Sequence, residues 1–239
     1  MARLTRHELK QDEFRTTFEQ FERLVKERYK EFLAVAGLAA VIVGSTLGLK
    51  IYTERQEGAA NARLSAAIRT FRAYVGPQPS GGLLSDADTF PTAREKYKKA
   101  LEQFTEITRK FPRTTAAAVA RYHVGVCQAE LGNQAEALKT LQEASRTSDR
   151  EISSLAKFAL ANELAKIGKT QEAVKSYQDL ADHPSLTVPK AAALFAMADA
   201  YRASQPARAR QIYELLQKDR NTDATLAQAI KQQIASLPQ

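Results

Sequence analysis

Between Glu31 and Lys50 the chain carries eighteen residues, FLAVAGLAAVIVGSTLGL, with no charge among them. A helix of that length rises about 27 Å, close to the roughly 30 Å hydrocarbon core of a bilayer. Ile51 and Tyr52 lengthen the run, and the aliphatic stem of Lys50 lets its ammonium reach the headgroups. Tyr29 and Tyr52 stand at the two ends, where an aromatic belt belongs. A helix in a globular core keeps a polar stripe, and this one has none. The run therefore predicts a transmembrane helix over 32–52. The 31 residues before it hold eight basic and seven acidic side chains, long and charged for the leading region of a cleaved signal peptide. No small-x-small cleavage signal and no lipoprotein cysteine follow the run, so the reading is an uncleaved signal anchor.

Charge near the run sets its expected direction. Arg15, Arg23, Lys26, Arg28 and Lys30 precede it, and Lys50, Arg55 and Arg63 follow. The excess before the run places the N-terminus in the cytoplasm and the bulk of the chain outside, which is the periplasm for a bacterial inner membrane. Within the run Ala36, Ala40, Gly44 and Gly48 recur every four residues, a transmembrane packing face suited to a homodimer or a partner helix. In the tail, residues 1–31, Phe14, Phe18, Phe21 and Val25 are spaced for one apolar face of an amphipathic helix against lipid or protein.

Beyond the anchor the composition is that of a helical protein. Gly (10) and Pro (8) are scarce in 239 residues and Trp is absent, so helix is expected nearly throughout. The 44% apolar content is enough for a packed core. Cys127 stands alone, which excludes an internal disulfide and any multi-cysteine metal cluster. His7, His123 and His183 lack ligand spacing, so no metal and no cofactor are expected. The net charge of +8 is spread among interleaved acids rather than along an aromatic-studded stripe, which argues against nucleic acid.

Landmarks recur at 36 residues: Ala137, Ala173 and Ala209, then Leu141, Tyr177 and Tyr213, then Ala144, Leu180 and Leu216. Gly132 and Gly168 align where a first helix ends, and Gly caps a helix C-terminus cheaply. A second helix follows each cap. Its alanine lets the two helices approach, and the larger residue one turn later fills the space beyond. Such a hairpin cannot bury its apolar face alone, but stacked copies can. A further copy lies upstream, with Ala100, Phe104 and Ile107 on its second helix and residues 54–74 as its first. Between those two helices an exposed loop insertion, residues 76–91, is rich in Gly, Pro, Ser and Asp. Leu226, Ile230 and Ile234 predict an amphipathic capping helix over 222–239. The expected architecture is all-α: an N-terminal amphipathic helix, one transmembrane helix, about four helical hairpins over 53–221, and the cap.

This pattern resembles the tetratricopeptide repeat family. Gly125, Gly132, Ala137, Leu141 and Ala144 carry the likeness in one copy; Leu160, Gly168, Ala173, Tyr177 and Pro184 carry it in the next. The resemblance implies an α-solenoid with a concave surface lined by the first helices, and it places Tyr122, Val126, Phe158, Asn162, Leu194 and Tyr201 on that surface as a partner-binding groove. Anchor and repeats together resemble the YfgM-like ancillary translocon subunits. That likeness implies a membrane-anchored adaptor of the cell envelope that links the SecYEG export channel with periplasmic chaperones or newly translocated, unfolded chains. The alternative is an envelope assembly scaffold similar to BamD-like or CpoB-like repeat proteins, which are typically lipidated or secreted. No phosphate-binding loop, dinucleotide fingerprint or zinc-protease motif occurs. His123 and Cys127 share a helix face without an oxyanion-type loop and read as packing or surface residues, so no enzyme is expected.

Overall fold

The computed structural model describes residues 29–76, 89–219 and 224–237. The expected helix around Phe14–Val25 lies outside them. The chain divides into two units, one ending at Arg55 and the other running from Gln56 to Gln239. Among the described residues there are nine helices. The first, α1, spans Tyr29–Arg72. Its stretch Ala36–Arg72 is long and apolar enough to cross a membrane, and it is the one such helix among the described residues. Leu38, Val41, Val43, Leu47 and Leu49 all lie more than half exposed. That is compatible with a single-pass membrane protein, because lipid is the solvent in which such side chains are stable.

The second unit is a run of antiparallel helices: α2 (Ala93–Lys110), α3 (Thr115–Glu130), α4 (Gln134–Ala144), α5 (Arg150–Lys166), α6 (Thr170–Asp182), α7 (Lys190–Tyr201), α8 (Pro206–Lys218) and α9 (Ala224–Ser236). Two two-residue strands, β1 (Tyr74–Val75) and β2 (Thr89–Phe90), pair in parallel at the two ends of the inserted loop. The Gly76 N–H extends the pairing to the Phe90 carbonyl at 3.0 Å. This small clasp is the departure from an all-helical reading.

Local chemistry explains the ends of the helices. At the end of α3 the Asn133 N–H reaches the Gln128 carbonyl at 2.9 Å and the Gly132 N–H reaches Ala129 at 3.0 Å. At the end of α5 the Lys169 N–H reaches Leu164 at 2.9 Å and Gly168 reaches Ala165 at 3.1 Å. Both are Schellman closures, and both need a left-handed residue: Gly132 has φ 83° and Gly168 φ 80°. After α7 there is no glycine; the turn closes through bonds from Ser204 and Gln205 to the Tyr201 carbonyl, and Pro206 opens α8. The start of α3 is capped from a distance. Glu57 on α1 accepts from the N–H groups of Thr115 (3.0 Å) and Ala116 (3.1 Å), and Thr114 accepts from Ala117. A carboxylate there meets both the free donors and the positive end of the helix dipole.

The three columns of the repeat are the core. Ala100, Ala137, Ala173 and Ala209 are fully buried, and Phe104, Leu141, Tyr177 and Tyr213 are at most 2% exposed. Ile107, Ala144, Leu180 and Leu216 complete the seam. On the facing helix Gly125 makes the approach possible. A Cβ there would stand 2.7 Å from both Cγ and Cδ2 of Leu141 and 3.3 Å from the Leu141 backbone nitrogen. The predicted cap is present as α9, with Ile230 fully buried and Leu226 and Ile234 packed against the same cluster.

These contacts reverse the usual sign of a helical glycine substitution. Gly125→Ala is expected to destabilise the chain by about 1–2 kcal/mol, because overpacking outweighs the gain in helix propensity. Gly58→Ala, where an added Cβ meets nothing within 4 Å, is expected to stabilise by about 0.5–1 kcal/mol. Urea unfolding of the full chain in detergent, followed by circular dichroism, measures both.

Candidate functional site: the concave groove

The first helices of successive hairpins, α3, α5 and α7, form one wall of side chains around a cavity of about 780 Å³. Tyr122 and Val126 come from α3, Asn162 and Glu163 from α5, and Ala196 and Asp199 from α7. Small residues floor it, among them Ala159, Ala200 and Ala203. A second cavity of about 650 Å³ shares Asn162, Ala196 and Asp199 and continues past Phe158 and Phe195 to Leu226 on α9. The two form a groove that follows the repeats.

The polar groups in this groove are held from behind by the second helices. The buried Tyr177 hydroxyl on α6 donates to Asn162 Oδ1 at 2.6 Å, and the Tyr213 hydroxyl on α8 donates to Asp199 Oδ1 at 2.6 Å. Burial raises the pKa of both phenols, so they stay protonated donors. Glu163, only 6% exposed, accepts from Gln134 Nε2 at 2.7 Å and pairs with Lys166 at 2.6 Å. Of the charged groups lining the first cavity, Glu130, Glu163 and Asp199 are acids and Lys166 is the single base.

Compared with known families, residues 119–146 match the family model described as tetratricopeptide repeat. One hairpin of the array thus matches the tetratricopeptide pattern. The match takes in α3 from Val119 onward and all of α4, the hairpin that holds Gly125, Gly132, Ala137, Leu141 and Ala144. No curated protein and no solved structure matches the chain. Tetratricopeptide repeats are typically non-catalytic modules that bind other proteins, and an open groove of this kind is the surface by which a repeat array does so.

The structure gathers Tyr122, Val126 and Asn162 around the first cavity and sets Phe158 in the adjoining one. Leu194 and Tyr201 go elsewhere. Leu194 is 8% exposed within the core, and Tyr201, 6% exposed, lines a separate cavity with Gln171 and Arg208. The groove residue on α7 is Phe195, whose ring meets Tyr213 edge-on at 5.6 Å as Phe158 meets Tyr177 at 5.7 Å. The reason is an offset. From α5 to α7 equivalent positions are 37 residues apart (Phe158 to Phe195, Asn162 to Asp199), while the second helices keep 36. One residue turns a helical side chain by about 100°, enough to move it from groove to core. Ala36, Ala40, Gly44 and Gly48 lie exposed on α1, and a Cβ at either of those glycines would meet nothing within 4 Å.

His123 and Cys127 sit in the core rather than in a site. The His123 ring stacks on Phe104 at 4.7 Å and meets Phe71 and Tyr122 edge-on. Cys127 is fully buried, and burial pushes its thiol up to about 12, the opposite of an activated nucleophile. Burial, with Arg72 adding repulsion, lowers the His123 pKa from 6.5 to about 4. The fold therefore favours neutral His123. Its contribution to stability is full above pH 6.5 and is lost as the pH falls towards 4, on the order of 3 kcal/mol in all. Urea midpoints at pH 7 and pH 4.5 are expected to differ less in His123→Phe than in the wild type.

Proposed function

We propose that the chain is a membrane-anchored protein–protein interaction adaptor of the bacterial cell envelope, holding a segment of another protein in its concave groove near the export channel. Its partners are then the translocon, periplasmic chaperones or newly translocated chains. The observation that supports this reading is the presence, in one chain, of an exposed apolar helix fit for a bilayer and a repeat array whose groove is left open beside Tyr122, Val126 and Asn162. An anchor raises the effective concentration of a weak binding module at the membrane, so modest groove affinity suffices there. The N-terminus lies in the cytoplasm and the repeats in the periplasm in this proposal, as the basic excess before the span directs. The Gly44–Gly48 face is the contact for a second copy or a partner's helix.

The test is a photo-crosslinking amino acid placed at Tyr122 and, as a control, at exposed Lys98 outside the groove. The expected result in intact cells is capture of translocon or chaperone components from position 122 and not from position 98. Equal capture from both, or none from position 122 while the protein is folded and membrane-bound, contradicts the adaptor reading.

A further inference from the structure

The groove's charge and its fixed polar heads define what lies in it. This inference rests on the protein-binding reading above and specifies the chemistry of the bound segment. The chain as a whole is basic, with a net charge of +8. The first cavity is locally acidic: Glu130, Glu163 and Asp199 against Lys166. Lys166 is already engaged at 2.6 Å by Glu163. Glu130 forms no ion pair among the described residues, and Asp199 has only Arg202, 3.7 Å away. The negative charge left over in the groove is therefore that of Glu130 on α3 and, shared with Arg202, that of Asp199 on α7, two repeats further along.

Asn162 adds a second constraint. Its oxygen is occupied by the Tyr177 hydroxyl, and among the described residues no hydrogen bond engages its nitrogen. An amide donor held in place from behind matches a free backbone carbonyl. A helical ligand has consumed its carbonyls internally, whereas an extended one presents them. Small residues line the same cavity, Ala159, Ala196 and Ala200 among them, and small side chains take up little of the space a backbone needs.

We propose that the groove binds an extended, cationic segment of a partner protein: its backbone accepts from Asn162, and its lysine or arginine side chains pair with Asp199 and Glu130. Tyr213 acts as a positioning residue by fixing the Asp199 carboxylate, as Tyr177 fixes Asn162. Both carboxylates are reached by solvent, so each pair contributes modestly rather than with the strength of a buried pair.

The experiment is fluorescence anisotropy of the full chain in detergent micelles at low salt. The probes are three labelled peptides of one Ala/Leu/Ser background whose variable positions are all Lys, all Gln or all Glu. The expected order is Lys, then Gln, then Glu, with Lys about tenfold tighter than Gln (about 1.4 kcal/mol at 25 °C). Asp199→Asn, which keeps an oxygen for Tyr213, combined with Glu130→Gln, is expected to bring the Lys and Gln peptides within about twofold of one another. The net charge of the chain pulls the other way, so preference for Lys that vanishes in this variant is attributable to the groove. Binding of all three peptides alike, tightest binding of the Glu peptide, or a Lys preference that survives the double substitution overturns the cationic assignment and leaves the groove reading standing. No binding of any of them by a chain with full helical circular dichroism overturns both.

Discussion

The approach of paired helices at the small residues of the repeat is what the remainder of the structure hangs on. Leu141 lies against Gly125 with no room for a methyl group between them. Ala137 and Ala144 flank Leu141 along the seam, both essentially unexposed. A small–large–small sequence on one helix, facing a gap on the other, holds two backbones close and at a set rotation. Rotation is then inherited: once the second helix of a hairpin is fixed, the face of the first helix that looks away from the seam becomes the groove. The bonds from Tyr177 to Asn162 and from Tyr213 to Asp199 follow from the same geometry, because a large residue at that column reaches through the seam to the far side. Packing and recognition thus use the same side chains, the rings for the core and the hydroxyls for the groove.

Continuity between copies has a separate source. Glu57 caps α3 from α1, and Glu151 in the first turn of α5 accepts from the Thr187 backbone and hydroxyl in the connection before α7. Those bonds hold the Glu151 carboxyl below its usual range, the Thr187 N–H foremost. Arg150 donates to the Pro184 carbonyl of the same connection at 2.8 Å. Each such latch joins neighbouring copies, which is how a repeat array with only nearest-neighbour contacts stays in register.

Much of this was legible in the residues. The uncharged run at 32–49, the three columns at 36 residues and the glycine caps are local or strictly periodic, and local chemistry is what sequence patterns carry best. Other features were not. The 36-residue period of the second helices, carried to the first, points to Leu194, whereas Phe195 takes that place; the sequence sign of it is Phe-x3-Asn at 158–162 against Phe-x3-Asp at 195–199, one residue out of step. The Glu57 cap joins residues nearly sixty positions apart, and no periodicity signals it. The acidic lining was hidden because Glu130, Glu163 and Asp199 are scattered in a chain whose sum is basic; only the fold collects them.

A double-mutant cycle between Gly125 and Leu141, read by urea unfolding of the full chain in detergent, tests the seam most directly. Leu141→Ala alone should cost about 2–5 kcal/mol by leaving a cavity. If the two positions share one space, adding Gly125→Ala to that variant fills part of the cavity, and the double variant should be more stable than the sum of the single changes by at least about 1 kcal/mol. Additivity to within about 0.5 kcal/mol would mean that the two side chains do not meet, and the account of how the hairpins lock would be wrong.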